Sequence, residues 1–263
     1  MKIGIIGTGV IGKTLARKLA ASGNQVKVAN SRGPESLVGF ASENGLKAVT
    51  SADAVKDVEV IILTIPLGQL PKIKEIFVGV PDDVIVVETM NYYPFRDGTI
   101  DEIENGMLNS VWVQNQIGRP VIKAFNSIGA YSLFADGKPQ GAPNRIALPV
   151  AGDNQTAKEK VIELVNQTGF DGFDAGNISE SWKQQPGTPV YCTDLTLNEA
   201  KQALAKANKE DAPAARDAIL QKLSGVDEAY INIILTGNYP DGFVDKGVDF
   251  NRAYFGFPQR NIK

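Results

Sequence analysis

The stretch "IGIIGTGVIGKTLA" constrains this chain more than any other, because Gly7, Gly9 and Gly12 stand in the spacing G-x-G-x-x-G. The glycines follow a strand pattern over residues 2–6, with a four-residue apolar run, and open a helical pattern over residues 9–22. Ala16, Leu19 and Ala20 share one face of that pattern, and Gly23 ends it. In this context the motif reads as strand, tight turn and helix. Gly7 permits the turn, Gly9 lets a pyrophosphate approach the backbone, and Gly12 lets the helix pack on the strand. Unpaired N–H groups and a partial positive charge at the helix start then favour the phosphates of a dinucleotide.

The rest of the first half repeats the alternation. Strand patterns are expected at 25–29, 47–49, 58–63, 84–87 and 121–125, with helical patterns at 34–44, from Ser51, and at 71–78. Short apolar strands separated by helices imply an α/β fold: a Rossmann-type, doubly wound, mostly parallel sheet covered on both faces. "RIALPVAG", a helix through Val161, Leu164 and Val165, and "GFDGFDAG" read as one more βαβ unit added to the same sheet. A dinucleotide-binding domain is therefore expected over 1–180. Residues 181–263 are expected to form a C-terminal helical and irregular extension. In it, Thr196 and Glu199 have the spacing of a capping box, and a helix is expected over 213–223. The last forty or so residues give no assignable pattern. Their aromatic and arginine content, as in "NRAYFGFPQR", suits either a homodimer contact or a tail folded on its own sheet.

Composition narrows the function. Lys+Arg at 27 against Asp+Glu at 30 gives a net charge of −3 with no basic tract, which argues against nucleic acid. With no histidine and one cysteine, Cys192, there is no zinc-type ligand set, no internal disulfide and no histidine acid/base chemistry. No apolar run reaches membrane-spanning length, and no charged leader precedes the first strand. The expectation is a soluble, cytoplasmic protein with a small-molecule partner.

The end of the second strand sets the choice of cofactor. An enzyme for the unphosphorylated dinucleotide places a carboxylate there for the ribose hydroxyls. This chain has Asn30, Ser31 and Arg32, with no acid until Glu35. A guanidinium fork and a hydroxyl suit the 2′-phosphate of NADP(H). The alternative is a solvated Ser-Arg-Gly turn.

Ligands of an open α/β sheet lie at the carboxyl ends of its strands. Thr64, Ile65 and Pro66 offer a shelf for a nicotinamide after the fourth strand. Met90 and Asn91, with Tyr92 and Tyr93, follow the fifth, and Asn126 and Ser127 follow the sixth. Each has an ordinary alternative as strand exit, packing residue or loop partner. Hydride transfer to a flavin-like ring asks mainly that two rings be held face to face.

"IGIIGTGVIGKTLARKLAASGNQVKVANSRGPESL", "LTIPL" and "VIKAFNSI" resemble the coenzyme F420-dependent NADP oxidoreductase family, to which the NADPH-binding domain of six-transmembrane metalloreductases is related. The resemblance covers roughly residues 1–180. It implies NADP contacts from Thr8, Gly9, Val10, Ile11, Ser31 and Arg32, with Thr64 to Pro66 facing the nicotinamide. Archaeal members carry a histidine near the position of Asn126 and lack so long an extension. The activity implied is hydride transfer between NADPH and a flavin or deazaflavin. A β-hydroxyacid dehydrogenase or imine reductase and a non-catalytic NADPH sensor are the alternatives.

Overall fold

A computed structural model describes residues 1–260. Lys2–Ile6 (β1), Gln25–Ala29 (β2), Lys47–Ala48 (β3), Val60–Leu63 (β4), Ile85–Glu88 (β5) and Ile122–Lys123 (β6) form one sheet, parallel throughout. Its order, β3-β2-β1-β4-β5-β6, is that of a doubly wound dinucleotide fold. The expected α/β class holds. Because helices cover both faces, the central strands are apolar on both sides. Ile3 and Ile5 join Leu15 and Leu19 of helix α1 (Val10–Ala21) in one core, and Ile6, Ile61 and Leu63 join Trp112 and Val113 of α2 (Asn109–Ile117) in the other.

The further βαβ unit does form, from Ala147–Val150 (β7), helix α3 (Gln155–Gln167) and Asp171–Asp174 (β8), but it does not extend the sheet. β7 and β8 make a separate two-stranded sheet, whose one backbone pairing to β6 among the described residues is an antiparallel bridge between Lys123 and Ala151. Pro149 is the cause. Along β7 the N–H groups of Ala147 and Ala151 point away from β8, and residue 149 shares their side. Proline has no N–H to give there, so a ladder to β6 cannot continue. The Gln184 amide fills the gap, donating to the carbonyls of Pro149 (3.2 Å) and Lys123 (3.4 Å).

The extension folds into four helices: α4 (Leu197–Ala205), α5 (Ala212–Ser224), α6 (Glu228–Thr236) and α7 (Lys246–Tyr254). Thr196 and Glu199 make both halves of the expected capping box on α4. The last two helices lie in the stretch without an assignable pattern, yet each has a start signal. Asp227 and Asp245 cap them, and Gly237 in the left-handed conformation stops α6. α7 is latched to the first half through Arg260, which reaches Asp194 at 2.9 Å and Asp249 at 3.4 Å. Asp194 also accepts from Ser132 at 2.7 Å. Among the described residues no helix is long and apolar enough to cross a membrane.

Candidate active site

The glycine loop is built as its spacing requires. Gly7 has a φ of 105°, and a Cβ on it would lie 2.5 Å from the Thr64 carbonyl oxygen. A Cβ on Gly12 would lie 2.0 Å from the Gly7 oxygen, so only glycine lets α1 sit this close to the strand ends. Gly9 differs, because its Cβ would meet nothing within 4 Å. No packing demands a glycine there; the bare backbone faces open space. The first amide of α1 that bonds within the helix is Lys13, to the Gly9 carbonyl at 2.9 Å. The N–H groups of Val10, Ile11 and Gly12 are thus aimed outward, with no acidic residue in the first turn. Tested against the pyrophosphate of NADP(H), this cradle fits.

Asn30 organises the end of β2. Its Oδ1 accepts from the Arg32 N–H at 2.8 Å, and its Nδ2 donates to Thr8 (3.2 Å) and Ser36 (3.0 Å). That turn ties the glycine loop to β2 and leaves Ser31 and Arg32 exposed. Among the described residues the Arg32 guanidinium has neither hydrogen-bond partner nor ion pair; only its backbone N–H is engaged.

The other candidates separate into two groups. The Thr64 hydroxyl turns away from the cleft and donates to the Gly7 carbonyl at 2.5 Å, so it braces the glycine loop. Ile65 is half-buried and Pro66 exposed, leaving a small apolar step beside the loop. The Met90 side chain lies in the core, at 2% exposure, and not on the cleft. Asn91 and Asn126 clasp each other: Asn126 donates to Asn91 Oδ1 and Asn91 to the Asn126 carbonyl, each at 2.9 Å. Asn126 also exchanges hydrogen bonds with Gln184, at 2.7 and 2.8 Å. Phe125, with φ of 58°, holds the strained turn that aims this amide. Ser127 Oγ is buried beside it and has no partner among the described residues.

Two further features escaped the sequence reading. Lys123 and Glu88 form an ion pair at 2.8 Å between β5 and the edge strand β6, both fully buried. Ser110 and the Met90 N–H donate to the carboxylate at 2.6 and 2.9 Å, and Lys123 also reaches the Met90 carbonyl at 2.8 Å. A charge inside each of "VVE" and "VIK" was the available signal. The second feature is a pair of phenols: the Tyr93 and Tyr191 hydroxyls meet at 2.7 Å. Tyr92 instead packs inward, donating to Glu104 at 2.7 Å.

The family described as "NADP oxidoreductase, coenzyme F420-dependent" matches residues 2–92, which hold the glycine loop, Arg32 and the Thr64 step. That match spans about a third of the chain, and over it the chain is similar to NADP-dependent oxidoreductases. The F420-dependent NADP reductase of Methanothermobacter marburgensis is 29% identical over 226 residues, covering 77% of this chain and 96% of that one. Protein YjhV of Escherichia coli (strain K12) is 43% identical over 76 residues, which are 29% of this chain and 56% of YjhV. The chain thus matches little more than half the length of that relative. The crystal structure of a hypothetical protein from Sinorhizobium meliloti is 32% identical, with a TM-score of 0.62 over 73% of this chain and 93% of its own.

Proposed function

We propose that this protein is an NADP(H)-dependent oxidoreductase that exchanges a hydride with a flavin or deazaflavin ring. One observation carries the cofactor choice: the end of β2 has no carboxylate and presents Ser31 and an unengaged Arg32 beside the glycine loop. Gly9 and the first amides of α1 would hold the pyrophosphate, Ser31 and Arg32 the 2′-phosphate, and Ile65 with Pro66 one face of the nicotinamide. When bound, NADPH supplies the hydride; the chain orients the two rings and keeps water out.

The family match over residues 2–92 and the name of the Methanothermobacter relative support the flavin-type acceptor. A small ring imine is the second reading, favoured by a half-open, largely apolar cavity next to the site.

Calorimetry with NADPH and NADH tests the cofactor. Arg32→Ala should lose about 1.5–3 kcal/mol of NADPH binding, the size of a charge-assisted hydrogen bond, and leave NADH unchanged. Equal losses for both would remove the assignment. NADPH oxidation with flavin mononucleotide, a deazaflavin and a ketoacid panel tests the acceptor; turnover with ketoacids alone would point to a hydroxyacid dehydrogenase.

A further inference from the structure

Beyond the ends of β5 and β6 lies a half-open cavity of about 300 Å³, at the small end of ligand pockets. Its floor is Tyr93, Gly129 and Ala130, which follow those strands, and its roof is aliphatic, with Ile219 from α5, Ile234 from α6 and Val248 from α7. Gly129 admits α7 this closely: a Cβ there would stand 2.9 Å from Asp245 Oδ2 and 3.4 Å from Val248 Cγ2. α6 links the cavity to the glycine loop, because Gly237 at its end packs on the Val10 side chain, to which a Cβ would come within 3.0 Å. The cavity thus borders the place where the nicotinamide of a dinucleotide on this loop would lie.

The polar groups of the wall restrict what can enter. The Arg216 Nε–H is held by Asp217 at 2.7 Å, and Asp245 Oδ1 by the Tyr230 hydroxyl at 3.0 Å and the Gly247 N–H at 2.9 Å. The Tyr93 and Tyr191 hydroxyls use one proton between them, which leaves one O–H to give. Burial raises both phenols above their ordinary range, so both stay protonated at neutral pH. Cys192, beside Tyr191, is likewise pushed up and remains a thiol.

We propose that this cavity is the acceptor site, that it takes an uncharged fused-ring compound with a conjugated C=N bond, and that the Tyr93–Tyr191 pair is its proton donor. The proposal rests on the NADP(H) reading for its hydride. As the C–H bond of the dihydronicotinamide breaks and its electron pair bonds to one end of the C=N system, a tyrosine O–H bond breaks and its proton passes to the ring nitrogen. The partner hydroxyl, and then water, restores that proton. NADPH is oxidised and the ring reduced by two electrons.

Riboflavin and dihydroisoquinoline carry this chemistry from two sources, and pyruvate is the charged control. With the full chain and no NADPH, riboflavin binding is read by fluorescence quenching and dihydroisoquinoline by competition. Ile234→Trp or Leu220→Trp, at half-buried positions of the lining, should abolish that binding and leave NADPH affinity within about threefold. Tyr191→Phe should keep ring binding and the KM for NADPH but lower kcat roughly 10²-fold. Its residual rate should rise with buffer concentration, as a buffer acid takes over the proton; a merely structural role would not produce that. Turnover of riboflavin alone assigns a flavin, turnover of the imine alone a small ring imine, and either supports the site. Binding of neither ring, binding undisturbed by both tryptophans, wild-type kcat in Tyr191→Phe and Tyr93→Phe, or reduction of pyruvate alone overturns it. If the wild type fails to bind NADPH, the cofactor reading fails by itself, and the riboflavin measurement still decides the cavity.

Discussion

Residues 7–12 and the walls of the cavity prepare for ligands in opposite ways. Around the glycine loop the surface offered is main chain, and side chains matter chiefly by being absent. Around the cavity it is side chains, and the two phenols that meet there come from positions 98 apart. A main-chain site fits into six contiguous residues and tolerates few changes. A side-chain site is assembled by the fold and is free to vary its ligand while the loop stays fixed.

The contrast can be broken inside the loop itself. Gly12→Ala puts a methyl group 2.0 Å from a backbone oxygen, so α1 must leave the strand ends. Urea unfolding should show a loss of ~3 kcal/mol or more. Gly9→Ala meets no protein atom within 4 Å and should unfold like the wild type, yet lose NADPH affinity by about tenfold or more. If the two alanines behave alike, packing and binding are not separable there.

On the other side, Asp194 tests how tightly the C-terminal layer is sealed. Burial, opposed by Ser132 and Arg260, raises its carboxyl from 3.8 to about 6. The folded protein therefore holds this proton more tightly than the unfolded chain. The contribution of Asp194 is most favourable at acid pH and is lost as pH rises from near 4 through about 6. Relative to wild type, Asp194→Asn should gain stability over that rise by on the order of 3 kcal/mol. Thermal unfolding across the same window measures it, and a flat difference would mean that solvent reaches the carboxylate. The smallest effect is expected at Thr196→Ala, which removes one half of a capping box: about 1 kcal/mol of stability, with NADPH affinity unchanged.

What could be read from the sequence follows the same division. The succession of strands and helices rests on apolar runs and helix stops that are local, and the loop on a local spacing. Arg32 was legible because its place follows from the strand before it. The sequence puts Thr64 at a strand exit facing the cleft, but a side chain there can turn either way, and its hydroxyl turns to Gly7. For the same reason the sequence does not tell that Met90 turns into the core. Pro149 carried a local signal against a seventh sheet position, since it lacks an N–H on the edge that would pair with β6. Tyr93 and Tyr191 carried none, because no spacing announces a contact made by a loop folding back over the sheet.

The ion pair of Glu88 and Lys123 has a consequence for assembly. Neither group can leave water alone without stranding a charge in the interior, where removing one partner of such a pair costs about 3–5 kcal/mol. A slip of one residue between β5 and β6 would turn Lys123 to the opposite face of the sheet and separate the two. The pair therefore acts as a key: β6 docks in one alignment or stays off, and the β7–β8 sheet that hangs from it waits on that single fit.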